Sequence, residues 1–131
     1  MSLVICVKDT LSALFSLAHF HRMRFSVPVV GITGSNGKTT TKDMLSAVLS
    51  SVYKITSTQR NFNNEIGLSQ TLLSMTGETE VCVTEMGMRG LGQINQLCSI
   101  ASPTMGIVTN VGTSHIAFWE ARKILHWLKA N

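Results

Sequence analysis

The chain has 131 residues, 44% of them hydrophobic and 14% charged, which suits one globular domain with a sizeable core and excludes a disordered chain. Its net charge of +4 comes from 11 basic residues that are scattered rather than clustered. That pattern offers neither a nucleic-acid groove nor a polybasic membrane patch, and it accommodates an anionic small molecule.

Leu11, Leu14, Phe15 and Ala18 recur at helical spacing behind Asp9 or Thr10, which predicts a capped helix ending near Arg24. Pro28 then marks a boundary. Residues 29–33 are short, β-branched and followed by glycine, and read as a buried strand. A helix is expected over about 39–51, with Met44, Leu45, Val48 and Leu49 as its inner face. Next come a strand near 52–56, a polar loop "STQRNFNNE" and a helix over about 66–75. Residues 81–85 form a second apolar strand, 93–100 a helix, and 105–109 a third apolar strand that runs into "NVGTSH". Strands apolar on both faces and alternating with helices predict an α/β fold: a mostly parallel sheet with helices on both faces. Ligands in such sheets collect beyond the carboxyl ends of the strands.

Cys6, Cys82 and Cys98 are odd in number and lack CxxC spacing, as expected of free thiols in a reducing compartment. Lys8 and Asp9 interrupt the apolar N-terminal stretch, and no small-residue cleavage site follows. No signal peptide or membrane span is therefore expected, and the cytoplasm is the simplest address.

The stretch "GITGSNGKTTTKDM" carries the chemistry. A strand that turns through glycines into a helix gathers backbone N–H groups and the positive helix end around one point, which suits a phosphate. Gly34 and Gly37 let the backbone come close, Lys38 can reach the outer phosphates, and the hydroxyl of Thr39 or Thr40 can ligate Mg²⁺. The strict Walker pattern places a glycine where Ile32 stands, so the match is to a shorter variant, GxxGKTT. A solvated lysine on a plain turn is the alternative, but strand, glycines, lysine and threonines occur in the order that phosphate binding needs. Glu85 ends an apolar strand at the same rim and reads as a Mg²⁺ ligand, with a structural salt bridge as the other reading. His115 follows the next strand, either as a metal ligand or as an ordinary loop residue. Asn61, Asn63 and Asn64 cap the following helix or present amides to a substrate. Arg89 steadies an anion or faces water, and Met86 and Met88 read as packing.

Together, "GITGSNGKTTTKDM", "NFNNEIGLSQTLL", "TEMGMRGLGQI" and "IVTNVGTSHI" resemble the ATP-binding central domain of the Mur ligases, within that family the MurF branch. "NFNNEIG" and "EMGMRG" favour that branch over the folylpolyglutamate synthase and cyanophycin synthetase relatives. The resemblance spans residues 7–117. It implies an enzyme in which ATP activates the terminal carboxylate of UDP-MurNAc-tripeptide as an acyl phosphate, and the amine of D-Ala-D-Ala displaces phosphate to form an amide. It also implies roles: Gly34, Ser35, Asn36, Gly37, Lys38, Thr39 and Thr40 on the phosphates, Thr39 and Glu85 on a first Mg²⁺, His115 on a second metal, and Asn61, Asn63 and Asn64 near the substrates.

By the same resemblance, residues 1–26 are a linker helix from a missing N-terminal domain and 27–117 a partial central domain. The tail 118–131, "FWEARKILHWLKAN", departs from the family. Lys129 stands at the spacing of the family's metal-bridging lysine, but its surroundings do not match. Back-translated with permitted codons and read in another frame, the tail can give Leu-Gly-Ser-Pro-Glu-Asn-Ile-Ala-Leu-Ala-Lys, which is family-like and suggests a frameshift. A chain cut there is expected to hold nucleotide without turning over, and to expose a sheet edge that favours self-association. A stand-alone nucleotide-binding or interaction module is the alternative. A small P-loop kinase or GTPase is a third reading, without the nucleobase motif or arginine lid that would support it.

Overall fold

The computed structural model describes residues 4–59, 62–88, 90–112 and Ile124. Two strands are buried over their whole length, β1 (Val29–Thr33) and β3 (Val81–Glu85), and they pair in parallel at the centre of the sheet. β2 (Ile55–Ser57) lies outside β3 and β4 (Met105–Val108) outside β1, giving the order β2-β3-β1-β4 with every described pair parallel.

Connection handedness fixes where the helices go. α2 (Lys38–Ser50) carries the chain from β1 outward to β2, whereas α3 (Glu65–Leu73) and α4 (Gln93–Ala101) carry it in the opposite direction. Right-handed crossovers therefore put α2 on one face and α3 with α4 on the other. The two cores follow this division. Val30, Ile32, Val81 and Val83 face α2, while Val29 and Cys82 pack with Leu68, Leu72, Ile94 and Leu97 from α3 and α4. Burying each such side chain stabilises the fold by roughly 1.5–3 kcal/mol.

α1 (Thr10–Arg22) is bonded into the second face. Asp9 caps it by accepting from the Ser12 amide at 2.6 Å, and Ala18 is fully buried. At its other end the Arg22 guanidinium donates to the carbonyls of Ala101 (3.0 Å), Ser102 (3.2 Å) and Phe25 (2.6 Å). The ring nitrogens of His19 and His21 stand 3.2 and 3.0 Å from the carbonyls of Ile100 and Met75. Basic groups at the end of α1 thus satisfy carbonyls at the end of α4, and His21 one just beyond α3. Burial pulls the Arg22 guanidinium below its ordinary value and pushes the neighbouring Cys82 thiol up to about 12, against the pull of the guanidinium.

Two expectations need correction. Met44 and Val48 are 66% and 68% exposed, so the inner face of α2 is formed by Leu45, Leu49 and Lys42. The strand expected near 52–56 begins at Ile55 instead, because the backbone of Val52 and Tyr53 still bonds back to Leu49.

Candidate phosphate and metal site

The turn from β1 into α2 depends on two glycines. Gly34 has φ +138°, and a Cβ there would run into the Thr109 side chain and the Asn110 backbone. Gly37, at φ +78°, is the N-cap of α2, and no side chain caps the helix. The Thr41 amide bonds to the Gly37 carbonyl at 2.9 Å, which leaves the amides of Lys38, Thr39 and Thr40 without an intrahelical acceptor. These N–H groups and the positive helix end form a cradle for an anion.

The segment after β4 locks this turn. Asn110 takes the Ser35 amide on its carbonyl (3.0 Å) and the Asn36 amide on Oδ1 (2.8 Å). Thr109 Oγ1 donates to the Asn36 carbonyl at 2.6 Å, and the Gly112 amide donates to Ser35 Oγ at 2.7 Å. The amides of Ser35 and Asn36 thus hold the turn's shape, leaving the first turn of α2 as its open donor set. The Lys38 ammonium folds back on the Gly34 carbonyl at 2.7 Å and reaches that of Ser35 at 3.4 Å. A phosphate would exchange those neutral acceptors for charged ones, a stronger bond for an ammonium.

Glu85 closes the site from β3. Register places it opposite Ile32 of β1, and it is 1% exposed. Its amide donates to Thr58 Oγ1 at 3.1 Å, and Oε1 accepts from Asn63 Nδ2 at 2.9 Å. Oε2 is buried with no hydrogen-bond partner among the described residues. A bare carboxylate oxygen in the interior is costly, and a hard cation removes the cost. The oxygen-only donors at this rim, Glu85 Oε2 and the exposed Thr39 hydroxyl, fit Mg²⁺, which takes one or two protein oxygens and fills its shell with phosphate and water. No group of three or more His, Cys, Asp or Glu side chains that could hold a metal occurs among the described residues.

The neighbouring asparagines differ, one taking the capping role expected from the sequence and the other a bond to Glu85. Asn64 caps α3, accepting the Gly67 amide at 2.9 Å, while Asn63 turns to Glu85 and accepts the Gly87 amide on its carbonyl at 2.7 Å. A Cβ on Gly87 would meet the Asn63 amide group at 2.8 Å, so glycine is what lets the segment after β3 pass this close. Lys38, Asn63, Asn64, Glu65, Gly87 and Gln93 line a cavity of about 280 Å³ at the rim. Asn61, Arg89, His115 and Lys129 lie outside the described residues.

Residues 32–126 match the model of the Mur ligase middle domain. The chain belongs to this family. As a Mur ligase middle domain it is similar, at 50% identity over 110 residues, to the UDP-N-acetylmuramoyl-tripeptide–D-alanyl-D-alanine ligase of Synechocystis sp., covering 84% of this chain and 24% of the relative. The Bacillus subtilis ligase of the same name is also 50% identical, over 113 residues, covering 86% of this chain and 25% of the relative. Among solved structures, MurF from Acinetobacter baumannii superposes with a TM-score of 0.80 at 36% identity, covering 85% of this chain and 24% of that one. Thermotoga maritima MurF in complex with ADP gives 0.77 at 34% identity, covering 98% and 31%. The chain spans about a quarter of the length of the curated relatives it matches. No helix among the described residues is long and apolar enough to cross a membrane.

Proposed function

We propose that this Mur ligase middle domain holds ATP by its phosphates and, as part of a MurF-type ligase, serves the joining of D-Ala-D-Ala to UDP-MurNAc-tripeptide. The observation that carries the reading is the buried Oε2 of Glu85, without a partner among the described residues, at the rim that also carries the uncapped first turn of α2. The likeness to relatives bearing that ligase name, and to a MurF solved with ADP, supports the same choice of substrate.

The chain's own residues divide the work. The amides of Lys38, Thr39 and Thr40 receive the polyphosphate, and the Lys38 ammonium follows the outer phosphate charge. The Thr39 hydroxyl and Glu85 would hold Mg²⁺, which would supply charge neutralisation at the transferring phosphoryl group. Phosphoryl transfer to the tripeptide carboxylate gives an acyl phosphate, and the D-Ala-D-Ala amine displaces phosphate to form the amide. This chemistry needs positioning and charge neutralisation rather than a protein nucleophile. His115 is assigned to a second metal, and Asn61 and Arg89 to the substrate side, on family resemblance. Asn63 acts on the substrate side through Glu85, and Asn64 through the start of α3.

We assign residues 1–26 to the linker from a preceding domain, 27–117 to part of the central domain, and 118–131 to a frameshifted tail. Nucleotide binding without ligation is expected of the chain by itself, and self-association through β4 is expected with it.

A ligation assay with UDP-MurNAc-tripeptide, D-Ala-D-Ala and ATP, run beside Mg²⁺-ATP binding, tests the whole. Binding without ligation is expected. A phosphorylated acceptor in place of an amide would point to a kinase, and no binding at all would overturn the proposal.

A further inference from the structure

Lys42 has no part in the site described so far, yet it is 4% exposed and is the one buried residue of α2. A buried ammonium requires partners. It has two: the Thr58 carbonyl at 2.9 Å, reached across from α2 to the segment after β2, and the Asp43 carboxylate at 2.8 Å.

The first partner connects Lys42 to the metal carboxylate. Thr58 is 1% exposed and is pinned at three atoms. Its amide donates to the Val83 carbonyl at 3.0 Å, its Oγ1 accepts the Glu85 amide at 3.1 Å, and its carbonyl accepts from Lys42. Thr58 also begins the stretch that leads to Asn63, which holds Glu85 Oε1. Two of the bonds that aim Glu85 therefore arise from a segment whose near end is tied to α2 by Lys42. The same helix offers its first turn to the phosphates, one turn before Lys42.

We propose that Lys42 is a positioning residue that fixes Glu85 relative to the phosphate cradle by anchoring Thr58, so that phosphate and metal are held in one geometry. The inference rests on the reading of Glu85 as a Mg²⁺ ligand. Residues that orient a metal ligand typically cost about 10–100-fold in metal affinity or activity when lost. A residue that merely supports the fold would weaken nucleotide binding with and without metal alike.

The test measures ADP affinity of the full chain with Mg²⁺ and with chelator, for the wild type, Lys42→Met, Thr58→Val and Glu85→Gln. Thr58→Val keeps the backbone carbonyl and the β-branch and removes only the acceptor for the Glu85 amide. The expected result is metal-free ADP affinity within about twofold of wild type in Lys42→Met and Thr58→Val, with the gain from Mg²⁺ reduced about tenfold or more. Equal losses in the two arms, or an intact Mg²⁺ gain, would overturn the inference. Should Lys42→Met fail to fold, Lys42→Gln, which keeps polar N–H groups on a shorter side chain without the charge, takes its place under the same criterion. A wild-type chain that gains nothing from Mg²⁺, or a Glu85→Gln chain that gains as much as wild type, overturns the metal reading itself and the inference with it.

Discussion

Replacing Glu85 by glutamine should strengthen the metal-free fold while removing the response to Mg²⁺. Oε2 is buried without a partner among the described residues, and such a group costs about 1–3 kcal/mol, more when it is charged. Glutamine keeps the shape and leaves Oε1 as acceptor for Asn63, and its amide nitrogen stays unpartnered, so the gain is the excess cost of a charged over a neutral group, about 1 kcal/mol. For a chain of 131 residues each kcal/mol moves the melting temperature by about 4 °C, so the rise is about 4 °C. Thermal unfolding followed by dye fluorescence, in chelator and then with Mg²⁺-ATP, reads both effects. Ligand at about a hundred times its dissociation constant stabilises the wild type by about 2.7 kcal/mol, some ~10 °C, whereas Glu85→Gln should show the higher starting temperature and little further rise with metal. A lower metal-free melting temperature in the variant would refute the reasoning, because it would mean that the charged oxygen is already satisfied in the fold.

Gly34→Ala should lower stability by about 1–3 kcal/mol and ATP affinity by tenfold or more, since alanine disfavours φ +138° and its methyl meets Thr109 and Asn110; Gly77→Ala, with open space around it, is the control, and equal behaviour of the two would contradict the turn's geometry. Leu72→Ala, fully buried between α3 and the sheet, should cost about 2–5 kcal/mol in urea unfolding, and a loss below about 1 kcal/mol would contradict the packing. The Cys82 thiol, raised from 9.0 to about 12 by burial, stays protonated in the fold while the unfolded chain ionises, so its contribution is fully present below pH 9.0 and is lost as pH rises toward 12. Urea midpoints across that window should fall less steeply in Cys82→Ala than in wild type; identical slopes would count against the assignment.

How far the sequence revealed this arrangement depended on how local each signal was. β1 and β3 were legible to the residue because strands buried on both faces leave an unbroken apolar run. β2 was misplaced because Val52 and Tyr53 look like strand residues, yet Val52 is 74% exposed in the turn that ends α2. Helical spacing gives a stripe but not which way it faces: Met44 and Val48 share the period of Leu45 and Leu49, and the buried position next to them is a lysine. The glycine turn from β1 into α2 was legible from glycine, lysine and threonine in order. Its lock was not, since Asn110 meets Ser35 and Asn36 only through the β1–β4 pairing. Nor did three neighbouring asparagines disclose their division of labour, because one position separates a helix cap from a side chain turned toward β3.

The central claim is that the carboxyl rim of β1 and β3 binds nucleotide phosphate and metal together. The most direct measurement is a titration of the isotopically labelled full chain with ATP and Mn²⁺, reading paramagnetic broadening of backbone amide resonances. Broadening centred on Lys38, Thr39, Thr40, Glu85 and Met86, and lost in Lys38→Ala, is the predicted result. Broadening centred elsewhere, or unchanged in Lys38→Ala, would contradict it.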